Sequence, residues 1–431
     1  MTDTLATTPP MGWNSWDCYG ATVTEEEVKG NASYVSEHLK SSGYEYIVVD
    51  IQWYEAGALS SVYRSFADLT MDSYGRLTPA TNRFPSAKNN QGFKPLADYI
   101  HSLGLKFGIH IMRGIPRQAV HQNCPIKGSK LTARDIAKPN SICPWNTDMY
   151  GVRSDVEAGQ IYYNSLFDLY AAWGVDFVKV DDIADSKLYG MSHMDEIKMI
   201  RQAINQSGRD MVLSLSPGPS HLEDAEALID NANMWRITDD FWDVWPLLKD
   251  MFTRCHQWSN YVGPGQWPDA DMLPLGHIGI RSVDGGASDR YTRFTHDEQL
   301  TLMTLWCIFR SPLMFGGECR DNDAFTLSLL TNKDLLNMHQ NGKHQHQLYR
   351  EDDEVIWYSE TSTGDGYIAL FNLHDTNYTI QLKTDILPVE IEHNHTFRDV
   401  FSGDSYKSKG DQSSLSFNLR PHASICLHFK Y

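Results

Sequence analysis

A run of apolar residues that ends abruptly in charge is the first candidate for chemistry in this chain. Residues 175–182 read Val-Asp-Phe-Val-Lys-Val-Asp-Asp, and their β-branched and aromatic side chains are typical of a strand buried on both faces of a parallel sheet. Lys179 and Asp181 are two apart and share one face of such a strand, whereas Asp182 points to the other. Taken alone, this pattern is more often a core strand capped by solvated charge.

Two further apolar segments end in the same way. Residues 46–50 end in Asp50, and residues 234–237 carry Arg236 and lead to Asp240. If the carboxyl ends of these strands converge on one rim, two carboxylates from different strands face one cavity. That is the minimum equipment of a glycosidase, with one carboxylate as nucleophile and one as acid and base.

The two carboxyl groups of such a pair need different protonation states. We expect Lys179 to keep Asp181 ionised. Apolar neighbours of Asp240 are expected to favour its acid form. These neighbours are Phe241, Trp242 and Trp245.

Helical and strand patterns alternate through the first three quarters of the chain and position these residues. About six helix-then-strand units with polar residues after the strand favour a (β/α)8 TIM barrel over an open doubly wound sheet. The seventh strand is predicted at Tyr261 to Val262. No glycine-rich phosphate fingerprint follows a strand, which disfavours nucleotide binding.

The pattern changes after Gly342. Short alternating runs separated by turn residues such as Gly364-Asp365-Gly366 predict an antiparallel β-sandwich. We therefore predict a catalytic barrel over residues 1–341 and a C-terminal sandwich domain over residues 342–431. The sandwich contains no concentrated cluster of acids or histidines, so no chemistry is assigned to it.

Composition excludes several partners and compartments. The 37 basic and 55 acidic residues give a net charge of −18, with no basic run, so nucleic acid and anionic membranes are not expected to bind. No apolar run of about 18 residues and no export signal are present, which predicts a soluble cytoplasmic protein. The seven cysteines are scattered, which favours a reducing compartment.

The sequence gives little support for a metal site or for a catalytic serine. His344 and His346 have His-x-His spacing but lie among polar residues, and His110 stands alone on its strand as a pocket or core histidine. Ser214 and Ser216 lack a nucleophile elbow. We therefore predict no metal and no organic cofactor.

Five short motifs in a fixed order resemble glycoside hydrolase family 27, the α-galactosidase and α-N-acetylgalactosaminidase family. The likeness spans the chain from Pro9 to the end of the sandwich. The motifs are residues 11–16 (Met-Gly-Trp-Asn-Ser-Trp), 49–50 (Val-Asp), 179–181 (Lys-Val-Asp), 235–236 (Trp-Arg) with Asp240, and 269–273 (Asp-Ala-Asp-Met-Leu).

The resemblance implies a role for each matched residue. Asp181 would be the nucleophile that forms a glycosyl-enzyme, and Asp240 the acid and then the base, so that configuration is retained. Arg236 would contact the group at sugar C2. The remaining residues expected to bind the sugar are Trp16 as aromatic platform, Asp50 and Lys179 at ring hydroxyls, His110 in the pocket, and Asp271.

Two departures from the family pattern bear on the sugar. Ile51 stands where the family usually has a second acid that helps to hold the sugar at its C4 and C6 side. Ser216 stands near the position where galactosidases carry a bulkier acid and N-acetylgalactosaminidases a small residue, which leaves room for an N-acetyl group. Both positions are therefore predicted to contact substrate and to set its identity.

We predict a retaining exo-acting α-glycosidase, of α-galactosidase type, for small-molecule or oligosaccharide α-glycosides. The alternatives within the family are an α-N-acetylgalactosaminidase, an enzyme like isomalto-dextranase, or one like β-L-arabinopyranosidase. A catalytically silent carbohydrate-binding protein is the alternative outside it. The loops at residues 81–92 and 113–146 would wall the pocket or join subunits of a homo-oligomer.

Overall fold

The first part of the chain is a curled sheet of parallel strands surrounded by helices. The computed structural model describes residues 5–60, 62–282, 288–389, 395–408 and 414–431. Eight parallel strands pair in the order β7-β6-β5-β4-β3-β2-β1-β8. They are β1 (Met11–Asn14), β2 (Tyr46–Val49), β3 (Lys106–Met112), β4 (Phe177–Asp181), β5 (Val212–Leu215), β6 (Met234–Arg236), β7 (Trp267–Asp269) and β8 (Leu313–Phe315).

Helices alternate with these strands along the chain. They are α1 (Glu25–Tyr34), α2 (Lys94–Ser102), α3 (Glu157–Trp173), α4 (Met194–Ser207), α5 (Ala225–Asn231), α6 (Trp245–Trp258), α7 (His296–Phe309) and α8 (Lys333–Asn341). Two of them, α1 and α7, begin with capping boxes. In each box the side chains of a Thr and of the Glu three residues later (Thr24 and Glu27, Thr295 and Glu298) accept from each other's backbone amides. Shorter helices span Trp16–Tyr19, Arg117–Gln122, Ala133–Ile136 and Ala324–Leu330.

The two ends of the curled sheet meet beyond β7. Leu273 forms a parallel bridge with Phe315 of β8, and its amide donates to the Met314 carbonyl at 2.9 Å. All eight strands run in one direction, so the residues that follow their carboxyl ends lie on the same rim of the barrel. The predicted TIM-barrel fold is confirmed.

The predicted position of the seventh strand was wrong. Tyr261 ends a 3-10 turn, and the barrel strand is Trp267–Asp269, in register with β6. Pro268 makes this strand hard to recognise from the sequence, because proline lacks the backbone N–H that pairs neighbouring strands and is rare in strand interiors. It is tolerated in this strand of three residues at the end of the paired order.

The C-terminal part is an antiparallel sandwich, as predicted. A six-stranded sheet has the order β9-β10-β11-β16-β13-β14, and β12 pairs with β15. The strands are β9 (Gly342–Glu351), β10 (Glu354–Thr361), β11 (Asp365–Asn372), β12 (Tyr378–Lys383), β13 (Thr396–Asp399), β14 (Ser405–Lys407), β15 (Ser414–Leu419) and β16 (Ser424–Lys430). The domain boundary at residue 342 stays a prediction.

Two small sheets lie in the barrel loops. One joins Ile115–Pro116, Met149–Val152 and Ala137–Ile142 after β3, and the other pairs His277–Ile278 with Arg290–Tyr291 after β7. All seven cysteines are free and buried. Among the described residues, none of the helices has the length and apolar character needed to cross a membrane.

Candidate active site

A cavity of about 480 Å³ opens at the carboxyl ends of the barrel strands. It brings together six of the residues that the sequence singled out. The residues lining it are Trp16, Asp50, Ile51, Val62, Tyr63, Ser65, Trp145, Lys179, Asp181, Lys187, Pro217, Asp239 and Asp240.

Asp181 ends β4 with its carboxylate held from two sides. One oxygen accepts the backbone amide of Asp182 at 2.9 Å, and the other lies 3.1 Å from Nε2 of His110. Burial alone would raise the pKa of Asp181, but the hydrogen bond from His110 and the nearby charge of Lys179 outweigh it and lower the pKa. The expected ionised state of Asp181 is therefore supported, with His110 as a contributor that the sequence did not indicate.

Asp50 and Lys179 form an ion pair on the floor of the cavity. The Lys179 ammonium lies 3.0 Å from Oδ2 of Asp50, which also accepts the side-chain amide of Asn14 at 2.8 Å. Burial opposes charge on both groups, yet each partner favours it in the other, so the pKa of Asp50 is lowered and that of Lys179 raised. Both side chains are fixed in charged form facing the same space.

Arg236 at the end of β6 connects two carboxylates. Its guanidinium lies 3.1 Å from Oδ1 of Asp240 and 2.9 Å from Oδ1 of Asp271. The second oxygen of Asp271 accepts the amide of Phe241 at 2.7 Å. Asp271 therefore holds both the arginine that contacts Asp240 and the backbone next to it.

The predicted apolar enclosure of Asp240 is not what the structure shows. Its side chain is 43% exposed in the cavity and hydrogen bonded to Arg236. Phe241 is buried against Phe294 and Trp306, away from the cavity lining. Adjacent positions in a loop point in different directions, and sequence proximity did not fix this orientation.

The remaining predicted residues lie in or directly behind the cavity. Trp16 and Ile51 line it and are 8% and 1% exposed. His110 is fully buried beneath Asp181. Ser216 is buried with its hydroxyl donating to the Val180 carbonyl at 3.4 Å, and the adjacent Pro217 lines the cavity.

Sequence reasoning missed a buried charge network behind the nucleophile strand. Arg113 pairs with Asp182 at 2.9 Å and Glu196 at 3.1 Å, and its Nε donates to the Asp182 carbonyl at 2.6 Å. Asp182 has a left-handed φ of 56°, and its amide contacts Asp181. Arg113 thereby supports the backbone that orients Asp181. The sequence signal for this network was an arginine placed directly after the apolar strand β3.

Several residues that line the cavity were also not predicted from the sequence. Tyr63 comes from the loop after β2, Trp145 from the loop after β3, and Lys187 from the loop after β4. Trp145 belongs to the loop 113–146, for which the sequence left two roles open, a pocket wall or a subunit contact. Its position shows that this loop lines the cavity. In the part of the chain that the structure describes, no group of three or more His, Cys, Asp and Glu side chains is arranged to hold a metal ion.

Replacing His110 by phenylalanine should move the acid limb of the pH dependence of kcat/KM to higher pH. The hydrogen bond from His110 lowers the pKa of Asp181, so its loss leaves more of that carboxylate protonated at low pH. His110→Gln, which keeps a donor, is the control and should move the limb less. Initial rates on a nitrophenyl glycoside between about pH 3 and 7 measure the effect. An acid limb that stays in place would contradict this role.

Comparison with known proteins gives a family-level match over nearly the whole chain. The family profile described as alpha galactosidase A matches residues 8–152 and 155–341, and the profile described as alpha galactosidase C-terminal beta sandwich domain matches residues 351–429. Alpha-galactosidase 3 of Arabidopsis thaliana is 28% identical over 428 residues, which cover 98% of this chain and 81% of that protein.

Two solved structures are more similar in sequence. One is a family 27 β-L-arabinopyranosidase from Geobacillus stearothermophilus in complex with arabinose, with 61% identity, a TM-score of 0.97, and coverage of 100% of this chain and 99% of that one. The other, from Bacillus halodurans, is provisionally described as an α-N-acetylgalactosaminidase, with 59% identity, a TM-score of 0.89, and coverage of 99% and 98%. The likeness therefore includes both the barrel and the sandwich.

Proposed function

This chain belongs to glycoside hydrolase family 27, the α-galactosidase family, and on that premise we propose that it is a retaining exo-glycosidase with a preference for β-L-arabinopyranosides. β-L-Arabinopyranose has the ring configuration of α-D-galactopyranose and lacks only the C6 hydroxymethyl group. The proposal thus narrows the predicted α-galactosidase-type activity to the pentose that shares its stereochemistry.

The proposed reaction is a double displacement. Asp181 attacks the anomeric carbon while Asp240 gives its proton to the leaving oxygen, and a covalent glycosyl-enzyme forms. Asp240 then takes a proton from water, which attacks the same carbon and releases Asp181. The Arg236 guanidinium lies 3.1 Å from Oδ1 of Asp240 and so orients this carboxyl group in both steps.

The Asp50–Lys179 pair is proposed to hold ring hydroxyls. Both groups are charged, buried and fixed before substrate arrives, so little ordering is required on binding. A carboxylate accepts and an ammonium donates, which suits adjacent hydroxyl groups. Trp16 is proposed to lie against the ring's apolar face.

The position of Ile51 in the cavity is the main observation in favour of a pentose substrate. It lines the cavity next to Asp50, where the family pattern has an acid that holds the C4 and C6 side of the sugar. An isoleucine side chain cannot hydrogen bond a C6 hydroxyl, so a galactoside gains nothing there over a pentoside that lacks this group. The relative solved with arabinose supports the proposal.

An N-acetylgalactosaminide preference is favoured less by the geometry. It depends on Ser216 leaving room for an acetamido group. The Ser216 hydroxyl is directed at the Val180 carbonyl, and the rigid ring of Pro217 occupies that part of the wall. The acetamido substrate therefore belongs in the test panel as a comparison.

The test is a panel of nitrophenyl glycosides with the Ile51→Asp variant. Wild type should turn over β-L-arabinopyranoside faster than α-galactoside, and Ile51→Asp should shift the ratio of their kcat/KM values toward galactoside by about 100-fold, because a new acceptor meets the C6 hydroxyl. Ile51→Val, which stays apolar, should keep the wild-type preference. An unchanged ratio in Ile51→Asp would remove the basis of the pentose proposal.

A further inference from the structure

The proposed acid Asp240 lies in the loop that joins β6 to α6. This loop spans residues 237–244 and is called the acid loop below. The Asp240 side chain is 43% exposed and accepts a hydrogen bond from Arg236 at 3.1 Å. A carboxyl group that must meet the leaving oxygen within hydrogen-bond distance needs a fixed backbone. The contacts that fix the acid loop therefore bear on proton transfer.

Asp243 anchors the acid loop three residues after Asp240. Its side chain is fully buried and accepts two hydrogen bonds from the guanidinium of Arg290, from Nη2 at 2.8 Å and from Nε at 3.2 Å. The backbone amide of Arg293 donates to the same carboxylate at 2.8 Å. Three donors thus hold the Asp243 carboxylate, and two of them belong to one planar guanidinium.

Arg290 reaches the acid loop from the chain segment that follows β7, where it belongs to the two-stranded sheet. Its guanidinium carbon also lies 5.8 Å from the ring centroid of Trp242. Asp271, which likewise follows β7, accepts the amide of Phe241 at 2.7 Å. The three residues directly after Asp240 are therefore all held by the segment after β7.

Burial makes the Asp243–Arg290 pair more important for orientation than for stability. Both ions lose water when they are buried, and this cost offsets most of their attraction. The two parallel hydrogen bonds of the planar guanidinium allow only one direction of approach to the carboxylate. Loss of one partner would leave the other as an unpaired buried charge, which favours movement of the acid loop.

We propose that Arg290 and Asp243 are positioning residues for general acid catalysis, which hold the acid loop so that the Asp240 carboxyl group meets the leaving oxygen. This deepens the proposed function and rests on it, because the positioning matters only if Asp240 transfers the proton. Neither residue is among those that line the cavity, so both act through the backbone of the acid loop. A shift of about 1 Å caused by a change far from the chemistry can lower a rate by about 10²-fold.

The test compares the methyl and nitrophenyl glycosides of one sugar, the one that wild type hydrolyses fastest in the panel. Arg290→Gln should lower kcat/KM on the methyl glycoside about tenfold more than on the nitrophenyl glycoside, because methoxide needs a proton to leave and nitrophenolate does not. The ratio of the two values does not depend on how much active enzyme a variant yields. Arg290→Lys keeps the charge but loses the bidentate contact, so its ratio should lie between those of wild type and Arg290→Gln.

A second variant tests whether the two residues act as a pair. Asp243→Asn should lower the ratio to a similar extent, and its combination with Arg290→Gln should lower it no further, because both changes break one interaction. Arg281→Gln is the matched control. Arg281 also follows β7, but its guanidinium contacts Glu27 and Thr22 instead of the acid loop, so this variant should keep the wild-type ratio.

The outcomes separate the positioning role from the activity. Turnover by wild type with a ratio that neither Arg290→Gln nor Asp243→Asn changes would overturn the positioning role and leave the glycosidase proposal intact. A ratio that falls equally in Arg281→Gln would also overturn it. No turnover of any glycoside of the panel by wild type would overturn both. Arg290→Lys decides in the same way if the other variants do not fold.

Discussion

Replacing Asp181 by alanine should lower kcat/KM on every glycoside by about 10⁴-fold or more. The carboxylate forms the covalent bond to the anomeric carbon, so no other group replaces it when it is removed. Its environment supports that role, since His110 and Lys179 favour its ionised form and its side chain is only 16% exposed. Rates on nitrophenyl β-L-arabinopyranoside, with folding checked by thermal melting, measure the loss.

Two further results identify Asp181 as the nucleophile. A 2-fluoro glycosyl fluoride should trap the glycosyl-enzyme and label Asp181 in a peptide that fragmentation distinguishes from Asp182. In Asp181→Ala, azide should enter the vacated space and give a glycosyl azide of inverted configuration. The assignment is falsified if the label lies on another acid, or if the variant keeps near-wild-type turnover.

Asp182→Asn is the matched control for this prediction. Asp182 is the next carboxylate along the chain, but it is 2% exposed and pairs with Arg113, which also pairs with Glu196. The variant should keep the covalent labelling of Asp181, because the backbone amide of residue 182 still contacts its carboxylate. Loss of labelling in this variant as well would point to a shared role for the two acids.

Strand ends were the part of the active site that the sequence predicted well. A buried parallel strand needs a continuous apolar run, so the first charged residue after it marks the rim of the barrel. Asp50, Asp181 and Arg236 follow from this rule: the two acids line the cavity, and Arg236 contacts Asp240, which also lines it. β7 broke the rule, because Pro268 concealed the three-residue strand and the sequence placed the seventh strand at Tyr261 to Val262 instead.

The strand-end rule could not predict which loop residues form the walls of the cavity. Tyr63 and Trp145 lie in long loops after β2 and β3, where no periodicity fixes the direction of a side chain. The network of Arg113, Asp182 and Glu196 joins β3, the end of β4 and α4, which are brought together only by the fold. Contacts between distant loops depend on tertiary packing rather than on local pattern.

Leaving-group dependence should show how Asp240 acts. Replacing Asp240 by alanine should reduce kcat/KM on methyl β-L-arabinopyranoside by about 10³-fold, because a methoxide leaving group needs a proton, and general acid catalysis typically supplies about 10²- to 10⁴-fold. The loss on the corresponding nitrophenyl glycoside should be much smaller in the first step, since nitrophenolate leaves without protonation. Comparing the two substrates across pH measures the effect.

A control variant and azide test separate Asp240 from its neighbours. Asp239→Asn removes the adjacent carboxylate and should keep the wild-type ratio between methyl and nitrophenyl substrates, although it weakens the contact with Lys187 in the cavity lining. Azide should accelerate Asp240→Ala by attacking the glycosyl-enzyme without base assistance, and the glycosyl azide should have retained configuration. Azide products of opposite configuration in Asp181→Ala and Asp240→Ala would require that the two carboxylates act from opposite faces of the sugar. Equal losses on both substrates in Asp240→Ala would instead assign the proton transfer to another group.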